Sequence, residues 1–394
     1  MIKCGIYNMG WRRWEDSVAL GALAEEAGHK VQFFTDQMNA YLFRAEGQAL
    51  FPNERLAPGP LGDIPNAGTM YFPENGDMGI IDPTVLMGVL GHTTSKIELF
   101  LGAIDAVRHG PSKLAQTFLS LSHATQGRAF FALGGSEIKQ LTAYGYSRIG
   151  SAKKLEEAIQ IIRLLFEAHG RPIYFEGEHW SIKGGAIEME PYGGAYPRIV
   201  LAPGVSMDIM GRYSDGMLTN TKRHPGGVSA FARDVATMKE AARKVGRDPG
   251  KLTVTACPQV LMHEDPKELY RLASAPKLKY QTMLTAKERG EQWREFGFEH
   301  PLGDEWGYAR KQRPETQDPD LLREAIAKVP TEAVIQLGFH CGTPEEVADQ
   351  LRPYGEAGLE YAGIVDYSTW VDQSPEMARA ASRNLARLIE LLQA

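Results

Sequence analysis

Long apolar runs are missing from this chain of 394 residues. No stretch approaches the roughly 20 apolar residues that a membrane-spanning helix needs. The opening MIKCGIYNMGWRRW lacks the apolar core of a signal peptide. The expected setting is therefore the cytoplasm, without a membrane span. Cysteine is scarce: Cys4, Cys257 and Cys341 are scattered and odd in number. That argues against a disulfide framework, and no CxxC pair points to zinc. An excess of positive charge is also lacking, with 43 Lys and Arg against 49 Asp and Glu and a net charge of −6. No basic stripe interrupts that balance, so nucleic acid and anionic membrane are not expected partners. HExxH, a Walker loop, GxGxxG and an ordered Ser-His-Asp set are all absent. No metal is expected.

What is present is an alternation of short apolar strands and amphipathic helices. Residues of hydrophobic type make up 43% of the chain and charged residues 23%, enough to build a sizeable core. The strands read as Cys4–Tyr7, Val31–Thr35, Ile97–Leu101, Ala129–Leu133, Ile199–Ala202, Met217–Thr219, Leu252–Ala256 and Tyr361–Val365. Most are nearly continuous apolar runs, as in parallel strands covered on both faces. Helix starts are marked at Asp82-Pro83, Gly110-Pro111, Asp265-Pro266 and Thr343-Pro344-Glu345-Glu346. In the last of these Thr343 can cap, Pro344 wastes no donor, and Glu346 can complete a capping box. Repeated strand–helix units imply a parallel sheet, and eight candidate strands favour closure. The fold class is thus α/β, a (β/α)8 TIM barrel within the single domain 1–394.

Two stretches break the repeat, one after strand 2 and one late in the barrel. Gln37–Ile81 is rich in Gly, Pro and Asn and reads as a lid, because it leaves the C-terminal end of a strand, where barrel active sites lie. Its Tyr41, Phe43, Tyr71 and Phe72 suit a largely apolar small-molecule substrate. Residues 279–330 are polar and carry Trp293, Trp306 and Tyr308. A lid and a helical excursion packed outside the barrel are equally compatible with them.

Four strand ends carry candidate chemistry. Asp36 follows strand 2, where a carboxylate can orient a heterocycle or simply cap a turn. Gly102-Ala103-Ile104-Asp105 leaves strand 3, with Arg108 and His109 close behind; these can meet an anionic group or form a solvated corner. Gly134-Gly135-Ser136-Glu137 leaves strand 4. The glycines permit positive φ or close approach of a planar ligand, and Glu137 becomes a candidate acid. On this segment alone a plain turn with a solvated Glu is the simpler reading. Ala202-Pro203-Gly204-Val205-Ser206 leads from strand 5 into a helix, whose start can attract an anion.

In order and spacing these pieces resemble the luciferase-like monooxygenase superfamily. The resemblance runs from about Lys3 to Val365. It rests on Arg128–Glu137, Tyr144-Gly145, Lys154–Ala158, Phe175–Trp180, Ser214-Asp215-Gly216, Cys341–Val347 and Gly358. Within it the chain is similar to the branch that uses coenzyme F420, including phthiodiolone ketoreductases and methylenetetrahydromethanopterin reductase. That resemblance implies F420, with FMN as the alternative in a monooxygenase, and a homodimer. It implies hydride transfer to or from a carbonyl, an alcohol or an activated alkene. Asp36 matches a cofactor-contacting aspartate, Glu137 an active-site acid and Gln140 a polar contact to the ring. Ile104–Asp105 matches a non-prolyl cis peptide, and Ala202, Pro203, Gly204 and Val205 match a backbone loop around the cofactor phosphate; Gly134 and Gly135 border the ring. The sequence departs from the sugar-phosphate dehydrogenases of the branch, with Gln37 in place of a histidine and Tyr41 in place of a tryptophan. Catalytic weight accordingly falls on Glu137, with Asp36 behind it.

Overall fold

The computed structural model describes residues 1–8, 14–38, 80–222, 224, 226–372 and 374–394. Most of the expected lid, with its four aromatic residues, lies outside the described residues. Eight parallel strands close into a barrel: β1 (Lys3–Asn8), β2 (Val31–Phe34), β3 (Glu98–Asp105), β4 (Ala129–Gly134), β5 (Ile199–Leu201), β6 (Gly216–Thr219), β7 (Thr253–Ala256) and β8 (Tyr361–Asp366). Closure is made by β8 against β1, with Gly5 opposite Gly363. Each expected strand corresponds to one of these eight. Their buried runs explain why: Ala129–Gly134 and Tyr361–Asp366 are buried at every position, and only apolar or small residues tolerate that.

A helix follows each strand: α1 (Trp14–Glu26), α2 (Pro83–Thr93), α3 (Pro111–Ala124), α4 (Ser151–Glu167), α5 (Met207–Tyr213), α6 (Gly227–Lys244), α7 (Pro344–Glu356) and α8 (Pro375–Gln393). The capping box at Thr343 forms as the sequence implies, with Thr343 N donating to Glu346 Oε2 at 2.8 Å and Glu346 N to Thr343 Oγ1 at 3.2 Å. In α4 the buried stripe includes Leu155, Ala158, Ile159, Ile162, Leu165 and Phe166. The remaining face of that helix carries Glu157, whose carboxylate accepts from the backbone of Glu178, His179 and Trp180 at 2.8–3.1 Å. Those donors form the turn of an antiparallel hairpin, Ile173–Glu176 with Ser181–Gly185, that the strand pattern does not announce.

The barrel interior is filled by side chains, among them Phe33, Phe100, Phe130, Val200, Leu218 and Tyr361. Its N-terminal end is closed by polar contacts. Tyr361 donates to Glu98 Oε2 at 2.8 Å, Arg198 pairs with Glu98, and the Arg198 guanidinium lies 4.3 Å from the centre of the Phe130 ring. With that end plugged, access to the interior is from the opposite, C-terminal end.

Two further strands extend the sheet there. Gln259–Met262 continues the course of β7 and pairs with the end of β8, and His340–Gly342 pairs with Gln259–Met262. Residues 279–330 are a helical excursion, with helices Pro276–Thr285, Tyr308–Lys311 and Pro319–Ala327. Trp293, Trp306 and Tyr308 are buried in a second apolar cluster with Leu284, Phe339 and Tyr367.

Two buried histidines give the fold a pH dependence. Burial, reinforced by the Lys222 charge, pushes His340 down to about 3, and burial pushes His300 down to about 4. His340 lies between Thr221 Oγ1 at 2.8 Å and Gln350 Oε1 at 3.2 Å, a pairing that the neutral ring satisfies. In the unfolded chain both rings take up protons near pH 6.5. Below that pH the unfolded state therefore binds more protons, and stability falls as pH drops towards 4. Buried Asp366, raised by burial to about 6, opposes part of this because its folded form protonates first. The melting temperature is expected to fall between pH 6.5 and 4, and His340→Gln should flatten that limb. Thermal melts across this range check it; an unchanged acid slope in the variant would contradict the assignment.

Candidate active site

The C-terminal ends of the strands surround a cavity of about 490 Å³. That is within the usual size of cofactor and substrate pockets, roughly 300–1,000 Å³. Its inner part is bordered by Tyr7, the Gly102–Ala103 peptide and Leu218. Tyr7 Oη donates to the Gly102 carbonyl at 2.8 Å, tying β1 to β3. The Gly102–Ala103 bond is cis. The family resemblance implies such a bond at Ile104–Asp105, and the structure has it two residues earlier. The difference follows the strand pairing: the β3–β4 register shifts between Gly102 and Ile104, so the irregular peptide precedes Ile104.

Of the expected site residues, Asp36, Ile104, Asp105, Gly134, Gly135, Glu137, Gln140, Ala202, Pro203 and Gly204 all border this cavity. Val205 does not; its side chain packs against the main core. The positive φ anticipated for Gly134 or Gly135 falls instead on Ser136, at 68°. Gly134 serves close approach: a Cβ there would stand 3.3 Å from Ala103 Cβ and 3.7 Å from Ala202 Cβ. Between the ends of β3 and β5, position 134 therefore carries no side chain beside the small side chains of Ala103 and Ala202.

Asp36 is not a solvated strand-end cap. Its Oδ2 accepts from Arg108 Nη2 at 2.6 Å and from Asp105 N at 3.3 Å, and His109 Nε2 stands 3.0 Å away. Asp105 caps the short helix Ala106–His109 through Val107 N at 2.6 Å and holds Arg108 Nε at 2.7 Å. Arg108 and His109 thus join a buried ion cluster between β2 and β3, and neither a free cationic pair nor a solvated corner describes them.

Glu137 lies at the other side of the cavity and is partly exposed. Tyr308 Oη donates to its Oε2 at 3.0 Å. Lys139 Nζ lies 3.7 Å from the same oxygen and donates to Gln37 Oε1 at 3.1 Å. The lysine is fully buried, and desolvation lowers it to about 8 despite the Glu137 charge. Gln140 accepts from Met38 N at 2.9 Å. The helix Ile138–Leu141 is therefore tied to the residues after β2, which fixes Glu137 relative to Asp36.

Sequence reasoning did not find Tyr7, Lys139, Arg148, Tyr308 or Arg310 at the site. Tyr308 and Arg310 come from the late excursion, which is both a helical unit with its own core and a wall of the cavity. Among the described residues no group of His, Cys, Asp and Glu is arranged to hold a metal ion, and no helix is long and apolar enough to cross a membrane.

Comparison with known proteins fits this architecture. A family model described as luciferase-like monooxygenase matches residues 66–361. Over 311 residues the chain is 30% identical to the phthiodiolone/phenolphthiodiolone dimycocerosates ketoreductase of Mycobacterium kansasii, covering 78% of this chain and 83% of that protein. Its fold is similar to that of an F420-dependent secondary alcohol dehydrogenase solved with an F420–acetone adduct, at TM-score 0.67 and 15% identity over 100% and 99% of the two chains. The F420-dependent tetrahydromethanopterin reductase of Methanopyrus kandleri gives TM-score 0.65 and 16% identity over 99% of each. The chain belongs to the luciferase-like monooxygenase family and is an oxidoreductase.

Proposed function

We propose that the protein is a coenzyme F420-dependent oxidoreductase that reduces a carbonyl group of a small, largely apolar substrate, or runs the reverse reaction. The observation that carries this is the pairing of small residues at one wall, Gly134 beside Ala103 and Ala202, with an acid, Glu137, held by Tyr308 on the same cavity. A planar ring fits such a wall, and the cationic residues at the opening suit a ligand with an anionic tail. The names of the relatives support the choice of F420 and of a ketone. When bound, such a cofactor supplies two-electron hydride chemistry, which the protein itself cannot provide.

The chain's own residues do the rest. Glu137 holds or moves the proton at the substrate oxygen, as a general acid–base group. Its Oε2 accepts from Tyr308, and the carboxylate borders the cavity in which a substrate would lie. Lys139 keeps a positive charge beside the carboxylate below about pH 8. Asp36 fixes the position of Arg108 at the cavity edge. The backbone of Ala202–Gly204, which lines the cavity, would border the tail of such a cofactor.

Titration of the purified protein with F420 and with FMN, followed by fluorescence, tests the cofactor. Binding of F420 with much weaker binding of FMN is expected. The reverse preference would replace this reading by a flavin-dependent monooxygenase on the same scaffold.

A further inference from the structure

Two arginines at the cavity make no ion pair with a carboxylate among the described residues. By contrast Arg108, also at the cavity, and Arg163, Arg198 and Arg247 each lie against an Asp or Glu. Arg148 instead donates only its Nε, to the Ser136 carbonyl at 3.2 Å. Arg310 is exposed and makes no ion pair with any described residue. Both side chains border the cavity.

The two arginines come from separate elements. Arg148 lies in the turn before α4, and Arg310 in the helix Tyr308–Lys311, which belongs to the late excursion. The fold thus brings like charges to one opening. Arg148 is held below its ordinary value first by partial burial and then by the Arg310 charge, with Glu137 opposing. Two like charges at one opening repel, and a bound anion would relieve that repulsion. Tyr7, Gly102 and Leu218, which also border the cavity, bring no charge. A ligand with a planar head inside and an anionic end at the opening meets both conditions.

We infer that Arg148 and Arg310 form an anion clamp that holds the phosphate- or carboxylate-bearing tail of the ring cofactor. This rests on the proposed cofactor-dependent reading, and the test separates the two. The full chain, Arg148→Gln, Arg310→Gln and the double variant are titrated by fluorescence with F420 and with the deazaflavin that carries only its ribityl chain. FMN and riboflavin form a parallel pair.

Each substitution is expected to raise the dissociation constant for F420 by roughly tenfold, as for loss of a hydrogen bond to a charged group, while affinity for the tail-less ring stays unchanged. Arg148→Lys should restore part of the affinity, and added salt should narrow the difference between the two ligands. Equal weakening of both ligands, or no change in either, would overturn the clamp. So would unchanged cofactor affinity with a raised KM for an anionic substrate, which would assign the arginines to the substrate. Should the wild type bind FMN and not F420, the cofactor reading fails, and the FMN-to-riboflavin ratio decides the clamp by the same criterion. Binding of none of the four ligands would overturn both.

Discussion

Replacing Glu137 by Gln is expected to lower kcat by roughly 10²- to 10⁴-fold, the range for a positioned general acid–base group, while leaving the dissociation constant of the cofactor unchanged. The substitution keeps the shape of the side chain and an oxygen that can accept from Tyr308. What it removes is the carboxyl proton site. It also leaves the buried ammonium of Lys139 without its counter-charge 3.7 Å away. Lys139 is already lowered to about 8 by burial and is expected to fall further in the variant. Tyr308→Phe deletes one hydrogen bond to the carboxylate and should cost less, roughly tenfold in kcat. The role of Lys139 is separable from both. As pH rises through about 8 the lysine loses its proton, and with it the positive charge 3.7 Å from the carboxylate. Lys139→Met is accordingly expected to displace the pH–rate profile, with turnover retained. Single-turnover oxidation of the reduced cofactor by a ketone measures all three variants. Glu137→Gln with wild-type rates and unchanged cofactor affinity would remove the acid role.

The barrel was legible because its strands are buried on both faces. Ala129–Gly134 can only be apolar or small, and that constraint is written locally. Helix starts were legible for a similar reason, since Thr343, Pro344 and Glu346 satisfy backbone groups within one turn. The strand His340–Gly342 was not, because three residues form no pattern and its pairing is with Gln259–Met262, far along the chain. The site divides in the same way. Residues that leave strand ends in sequence order, such as Glu137 and Gly204, could be placed at the cavity from the strand pattern and the family resemblance. Tyr308 could not, because it reaches Glu137 across 171 residues and through an excursion whose packing no local period encodes. Arg108 and His109 were visible as a cationic pair. Their partner was hidden, since Asp36 precedes them by 72 and 73 residues. Val205 shows the limit of carrying a loop over residue by residue: the turn at Ala202–Gly204 faces the cavity, and the next side chain already faces the core.

Asp36→Ala is expected to destabilise the fold by about 3–5 kcal/mol, the usual cost of removing one partner from a buried ion pair. The Arg108 side chain is only 7% exposed and Asp36 9%, so solvent cannot replace the lost carboxylate. Asp105 would remain against Arg108 Nε, but its other oxygen is engaged at the start of the helix Ala106–His109. The Nη2 donor and the Asp105 N–H would both be left without their acceptor. Asp36→Asn keeps an oxygen at that position and should cost less, since hydrogen bonding survives while the charge does not. Because the cluster borders the cavity, loss of Asp36 should also weaken cofactor binding, through movement of Arg108. The two effects are distinguishable. Denaturant midpoints at unchanged m-value report stability, and titration at a temperature where both proteins are folded reports affinity. Were Asp36 chiefly a direct contact to the cofactor, Asp36→Ala would lose affinity with a stability change within about 0.5 kcal/mol, as for an ordinary surface substitution. The three donors gathered on one buried oxygen argue for the larger loss, and for Asp36 as the residue that positions Arg108 at the edge of the site.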